Sequence, residues 1–353
     1  MQMQARLEVT GAGLGNTLQD AGRFGHRRAG VPWSGFLDQS LAHAANALVG
    51  NQPDMVCIEV RAAGPSLRVL VGPVWCAVAG LLDCTLVRAN GLRDKLPAWR
   101  SVELGVGDEL RLGVASDACA YVAISGGVDV PQVMGSRSTY ARVGLGGMDG
   151  RVLSVGDVLT THTFHPQAQA NLCATTGMPG LDGAVRIMLG PQDSYFTDQA
   201  LADLCTHTWQ TSAAQDRMGV RLQGARLQHR QDVVADIVSD GIAPGAIQVP
   251  ASGEPIVLLV DCQTMGGYTK IATVISADLH KMAHLPAGSK LQFELVTAAQ
   301  AHAVLLDNKR LFQQWLQGVK PYLPVGWIDE VALRSTNLIS GYVNAQASSG
   351  EDF

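Results

Sequence analysis

A seven-residue pattern, Leu-x-x-Gly-Asp/Ser-x-Leu, occurs at Leu104–Leu110, Leu153–Leu159 and Leu285–Leu291. Its glycine supplies a backbone angle that other residues resist, so each copy reads as a tight turn feeding a strand. A chain that turns this way repeatedly is committed to short strands. Glycine makes up 39 of 353 residues, well above the usual share of roughly 7%. The glycines punctuate short runs rich in Val, Leu and Ile. Strands are predicted at Leu67–Val71, Cys84–Ala89, Glu109–Leu112, Ala120–Ile124, Val185–Leu189, Ile256–Val260, Ile271–Ile275 and Leu291–Leu295. Many carry apolar residues on both faces, as closed or stacked sheets require. A second echo sets Leu67-Arg68-Val69-Leu70-Val71-Gly72-Pro73 against Val185-Arg186-Ile187-Met188-Leu189-Gly190-Pro191. The two echoes predict a mainly β protein built from two related halves.

The first half is placed at residues 1–165 and the second at 184–320, joined by a Pro-, Gly- and Gln-containing linker at 166–183. A C-terminal extension, 321–353, reads as partly disordered. Helices are few. Leu37 to Val49 has apolar residues at helical spacing, with Ser34 as its cap and Gly50-Asn51 as its stop. Ser276–Leu285 is a shorter candidate, and Thr297 caps a longer one running to Gly318.

Net charge of −5 and the lack of a dense Lys/Arg run argue against nucleic acid as a partner. The N-terminus lacks a signal-peptide pattern, and the longest apolar stretch, Leu67 to Leu82, is broken by Arg68, Gly72 and Pro73. A cytoplasmic location without membrane contact is the resulting expectation. Seven scattered cysteines form neither a disulfide framework nor a zinc pattern, and the nine histidines show no metal-ligand spacing. Charged residues are only 16% of the chain, against roughly 25% in typical domains. That shortfall fits either a large, well-buried protein with a plain surface or a surface partly covered by another subunit. Phosphate-loop, zinc-protease, nucleophile-elbow and dinucleotide motifs are all absent.

Four Gly-rich segments remain, all dense in polar residues. They are Gln19–Gly25 with Gly30–Gly35 and Asp38; Ser125–Pro131 leading to Gly135–Thr139; Asp216–Leu222; and Ser239–Gly241 through Gly245–Pro250 to Gln263–Lys270. Arg217 and Arg23 are planar forks that either grip a carboxylate or form internal salt bridges, for example with Asp20 or Asp216. Arg137-Ser138-Thr139 offers an oxyanion grip or a turn cap. Lys270 and Tyr268 follow the Gly266-Gly267 turn and can donate hydrogen bonds to developing negative charge. Gln248 and Gln263 can read a lactam or ureido group through one donor and one acceptor. Asp38, Asn46 and Glu59 are weaker candidates for lining a site.

In these segments the chain resembles the family called allophanate hydrolase subunit 2, the KipA-type subunit or the C-type subunit of 5-oxoprolinase, over roughly Leu7 to Phe293. The resemblance implies cyclophilin-like β-barrel modules. It also implies a role in ATP-dependent 5-oxoprolinase, which opens 5-oxoproline to glutamate, with a KipI-type partner and a third subunit. No cofactor is expected to be bound covalently, and ATP is used by the complex. An alternative is a biotin-dependent carboxyltransferase acting on urea or a related amide, with carboxybiotin supplied by another chain. A third reading is a regulatory binding module that sequesters a KipI-type partner. The expected catalytic residues are Arg217, Lys270, Tyr268 and Asp240. The expected substrate-binding residues are Asp20, Arg23, Ser34, Asp38, Arg137, Ser138, Gln248, Gln263, Gly266 and Gly267, with no metal. The chain departs from the family pattern at Asp240, where Glu is usual, at Met265, where Thr is usual, and at His284, where Gln is common. The histidine is expected to add a proton donor near neutral pH.

Overall fold

The three repeated turns are three copies of one device. Gly107, Gly156 and Gly288 take φ of +86°, +90° and +88°. The following N–H, of Asp108, Asp157 or Ser289, closes the turn on the carbonyl of Gly105, Ser154 or Pro286 at 3.1 Å in each case. Each turn is also hooked to a neighbouring strand by a reciprocal pair of bonds. The glycine N–H donates to Val69, Val9 or Thr211, and the N–H of that same residue donates back to Asp108, Asp157 or Ser289. Residues after the turns enter strands Glu109–Ala115, Val158–Thr160 and Lys290–Leu291. The positive φ explains why glycine is needed there.

The computed structural model describes residues 2–166, 169–174, 176–177 and 183–323. Met1–Pro321 form one compact unit. Part of the expected linker, and residues 324–353 of the expected extension, lie outside the described residues. The fold is mainly β, as expected, with four α-helices among the described residues. A six-stranded sheet runs in the order 158–160, 6–11, 66–71, 109–115, 82–87, 93–95. A seven-stranded sheet runs 17–19, 57–60, 120–124, 74–79, 100–104, 172–173, 320–321. Its central strands Val74–Ala79 and Ala120–Ile124 are buried at every residue. They read as continuous apolar runs because helix α1 (Gln39–Leu48) covers one of their faces.

The third sheet, nine-stranded, is built from residues 185–295. Its edge strands are Lys290–Leu291, paired with Trp209–Gln215, and Phe293–Leu295, paired with Val185–Leu189. One residue, Gln292, separates those edges, so a single extended segment closes the sheet into a barrel. Trp209, fully buried in its core, donates its indole N–H to Leu204 O at 2.9 Å.

The second sequence echo does not mark equivalent positions. Strand Ser66–Val71 is antiparallel to both neighbours and ends at a cis Gly72–Pro73 bond. Val185–Leu189 has one antiparallel and one parallel neighbour. Helix α1 also departs from expectation. Ser34 is not its cap, because its backbone sits at φ +52° and its N–H donates across to Val260 O. The cap is Asp38, whose carboxylate accepts from Leu41 N at 2.9 Å. Helix α2 (Asp198–Thr206) escaped the sequence reading, although Thr197 caps it in the ordinary way. Helix α3 is only Leu279–Ala283, shorter than expected. Helix α4 (Ala298–Gln317) starts at Thr297 with a full capping box to Gln300. Trp315, near its end, is buried against the main core.

Candidate active site

The Gly-rich segments fall into separate clusters. The first two interlock around the Asp20 carboxylate. It accepts from the N–H groups of Gly22 and Arg137 and from the hydroxyls of Ser136 and Ser138. Arg23 is fully buried and donates to the carbonyls of Val133 and Ser138. Burial works against its charge and holds its pKa below the ordinary arginine value, although Asp20 and Asp261 oppose this. The Arg137 guanidinium donates to Val130 O, and the Thr139 hydroxyl to Leu18 O. Asp20, Arg23, Arg137 and Ser138 therefore clasp two loops together, although Arg23 Nη1 is buried with no partner among the described residues.

Arg217 stands at the joint where the barrel meets the seven-stranded sheet. It donates to Glu59 and to the Gly35 carbonyl on one side, and to Asp261 at 2.9 Å on the other. Burial opposes its charge, but Asp261 and Glu59 overcome that and raise its pKa. Glu59, fully buried, also accepts from the Tyr121 hydroxyl at 2.6 Å. The salt-bridge partners are thus Glu59 and Asp261. Asp216 instead caps its own turn through the N–H groups of Met218 and Gly219. Beside this joint Ser34 is buried, with a hydroxyl oxygen that has no partner among the described residues. Arg27 reinforces the joint through the Ile242 carbonyl. Asn46 has a purely local reason for burial, tying α1 to the carbonyls of Pro53 and Met55.

The residues left facing an open space belong to the barrel. A cleft of about 520 Å³ is lined by Gln215, Arg221, Gln248, Gln263 and Tyr268, with Arg142 reaching in from the first half. Gln248 is 1% exposed on strand Ala246–Val249, yet its amide nitrogen has no hydrogen-bond partner among the described residues. The buried amide oxygen of Gln215 is likewise unpartnered. Both residues line the same cleft, and these two unpartnered amide atoms lie buried in its wall. Leaving both without partners is costly unless a ligand supplies the complementary pair.

Gly266 lets the carboxamides approach. A Cβ there would lie 3.2 Å from Gln248 Nε2, 3.6 Å from Gln263 Nε2 and 2.6 Å from Ile242 Cδ1. Gly267 lies against the Ile237 carbonyl of the adjacent strand. Farther along the same strand, Lys270 is buried and donates to Asp240 at 2.7 Å and to Gly241 O at 3.1 Å. The Lys270 ammonium holds the Asp240 carboxyl below its ordinary range. Tyr268 is half-exposed on the cleft wall.

Of the expected site residues, Gln248, Gln263, Tyr268 and Gly266 are thus brought together. Gly267 follows Gly266 on the same strand, Lys270 and Asp240 pair beside them, and the rest are elsewhere. Gln215, Arg142 and Arg221 were missed. Gln215 immediately precedes the third segment, and Arg142 precedes the glycines at 144, 146 and 147, so both lay within reach of the same composition signal.

Asp38 faces a different space. His284 bonds Asp38 through Nε2 and Asp117 through Nδ1, each at 3.0 Å. Burial alone would lower the histidine pKa, but the two carboxylates raise it to about 9. The expected near-neutral donor is therefore a fixed imidazolium at neutral pH. Its stabilisation is fully present below the unfolded value of about 6.5 and is lost as pH rises through about 9. The change is on the order of 3 kcal/mol. Denaturant unfolding at pH 6 and at pH 9.5 should show the wild type losing this stability while His284→Gln does not. Parallel losses in both proteins would rule the assignment out.

The model of the carboxyltransferase domain, subdomain A and B, matches residues 29–295, and the chain belongs to that family. It is 34% identical over 312 residues to the C-type subunit of 5-oxoprolinase from Escherichia coli (strain K12), covering 87% of this chain and 97% of that one. It is 31% identical over 314 residues to urea amidolyase of Lachancea kluyveri, covering 81% of this chain but 17% of the relative. The crystal structure of the K. lactis urea amidolyase superposes with a TM-score of 0.78 at 28% identity, over 88% of this chain and 20% of that one. The relatives are enzymes or enzyme subunits. Among the described residues no helix is long and apolar enough to cross a membrane.

Proposed function

We propose that the chain is a subunit of ATP-dependent 5-oxoprolinase and that the cleft beside Gln215 and Gln248 holds the lactam of 5-oxoproline. The observation that carries this reading is the orphan pair. The Gln248 N–H donates to the lactam carbonyl, and the Gln215 carbonyl accepts the lactam N–H. The guanidiniums of Arg142 and Arg221, on the same cleft, suit the substrate carboxylate. Donation to the carbonyl oxygen strengthens as charge develops there, so Gln248 favours the activated amide over the ground state. Tyr268 closes one wall. Lys270, bound to Asp240, positions the strand that carries Gly266 and Tyr268.

ATP use belongs to the assembled complex, with a KipI-type chain and a third subunit as partners. The near end-to-end match to the C-type subunit of 5-oxoprolinase supports this reading over the urea amidolyase one. A ureido group presents the same donor and acceptor, so carboxyl transfer from a carboxybiotin on another chain is the competing chemistry. The test is a tagged purification from native cells, with bound chains identified by mass spectrometry and probed with streptavidin. ATP-dependent glutamate formation from 5-oxoproline by a biotin-free complex is expected. Stoichiometric recovery of a biotinylated chain, with carboxylation of urea and no glutamate formation, would overturn the proposal.

A further inference from the structure

A separate cavity of about 190 Å³ lies where α1, α3 and α4 meet, away from the amide-lined cleft. Its body is apolar, walled by Leu41, Trp99 and Phe312. Trp99 is held at φ +65°, a costly backbone for a bulky residue, and its ring packs edge-on to Trp315 at 5.8 Å. The polar end carries Asp38, Asp117, His280 and His284. His284 has both ring nitrogens committed to the two carboxylates, so it is no metal ligand. Asp38 is fully used, since its second oxygen accepts from Leu41 N.

Asp117 is not. Its Oδ1 is buried and has no hydrogen-bond partner among the described residues. A buried carboxylate oxygen without a donor is unfavourable. We propose that this cavity binds a small apolar amine, its hydrocarbon body against Leu41, Trp99 and Phe312 and its ammonium group against the Asp117 carboxylate, whose side chain turns to present Oδ1. The same shape with a carboxylate end is excluded by charge. Because the first half, α3 and α4 all line the cavity, the occupant ties them together and raises thermal stability.

Isothermal titration near neutral pH with phenethylamine, phenethyl alcohol and hydrocinnamate tests this on the full chain. Saturable binding of one amine per chain is expected, with the alcohol weaker and the carboxylate not measurable. Asp117→Asn should weaken amine binding by about tenfold or more, the loss of one charge-assisted bond. Leu81→Trp, at a half-exposed position on the cavity rim, should narrow the entrance and weaken the amine and the alcohol alike. It leaves the charged groups alone, so it remains informative if Asp117→Asn does not fold. No saturable amine binding at millimolar concentration, equal binding of all three probes, or amine binding unchanged in either folded variant would overturn the proposal.

Discussion

Arg217→Ala is expected to destabilise the protein by about 3–5 kcal/mol, the usual cost of breaking a buried ion pair by removing one partner. The guanidinium is the shared donor for Glu59, Asp261 and the Gly35 carbonyl. Glu59 is fully buried and Asp261 is 5% exposed, so neither recovers its hydration when the arginine is lost. Two like charges would then face one another across the joint between the halves. Arg217→Lys should recover only part of the loss, because one ammonium cannot replace a fork that serves three acceptors. Thermal unfolding should fall on the order of 10 °C for the alanine variant. Unchanged stability with turnover abolished would mean that the fork serves a ligand rather than the joint.

Gln248→Leu is expected to have opposite effects on stability and activity. The substitution removes a buried amide nitrogen that has no partner among the described residues and replaces it with an apolar group of similar size. Stability should hold or rise by about 1 kcal/mol, since an unsatisfied buried polar group is itself a cost of about that size. Activity of the complex should fall roughly 10²–10³-fold in kcat/KM, as when one oxyanion donor is removed. Stability that falls while turnover is retained would show that the amide serves the fold. The opposed signs make the experiment specific, because a generally damaged protein loses both properties together.

Much of the architecture was legible because it is local. The turn at Gly107 needs only residues 105–108, and the cap at Thr297 needs only Gln300. The cleft was partly legible. Gln248, Gln263, Gly266 and Tyr268 lie close together in sequence, on two adjoining strands of one sheet and, for Gln263, on the loop just before the second. The glycines after Arg142 marked its neighbourhood, but its place on this cleft was not legible, since it is more than a hundred residues from Gln248 in sequence. Ser34 looked like a cap because Ser before an apolar run usually is one, and a tertiary bond to Val260 overrode that preference.

The sequence by itself determined the β class, the turn-and-strand punctuation, the long final helix and the family. Those properties follow from backbone preferences and from contacts within a few residues. Only the tertiary structure decided what each charged or amide side chain does. Arg217 meets Glu59 across 158 residues, and Asp20 meets Ser138 across 118. Such pairings satisfy those side chains internally, while Gln215 and Gln248, in the wall of a cleft, each keep an amide atom with no partner among the described residues. A polar residue's role depends on whether folding brings it a partner, and no local pattern encodes a partner a hundred residues away.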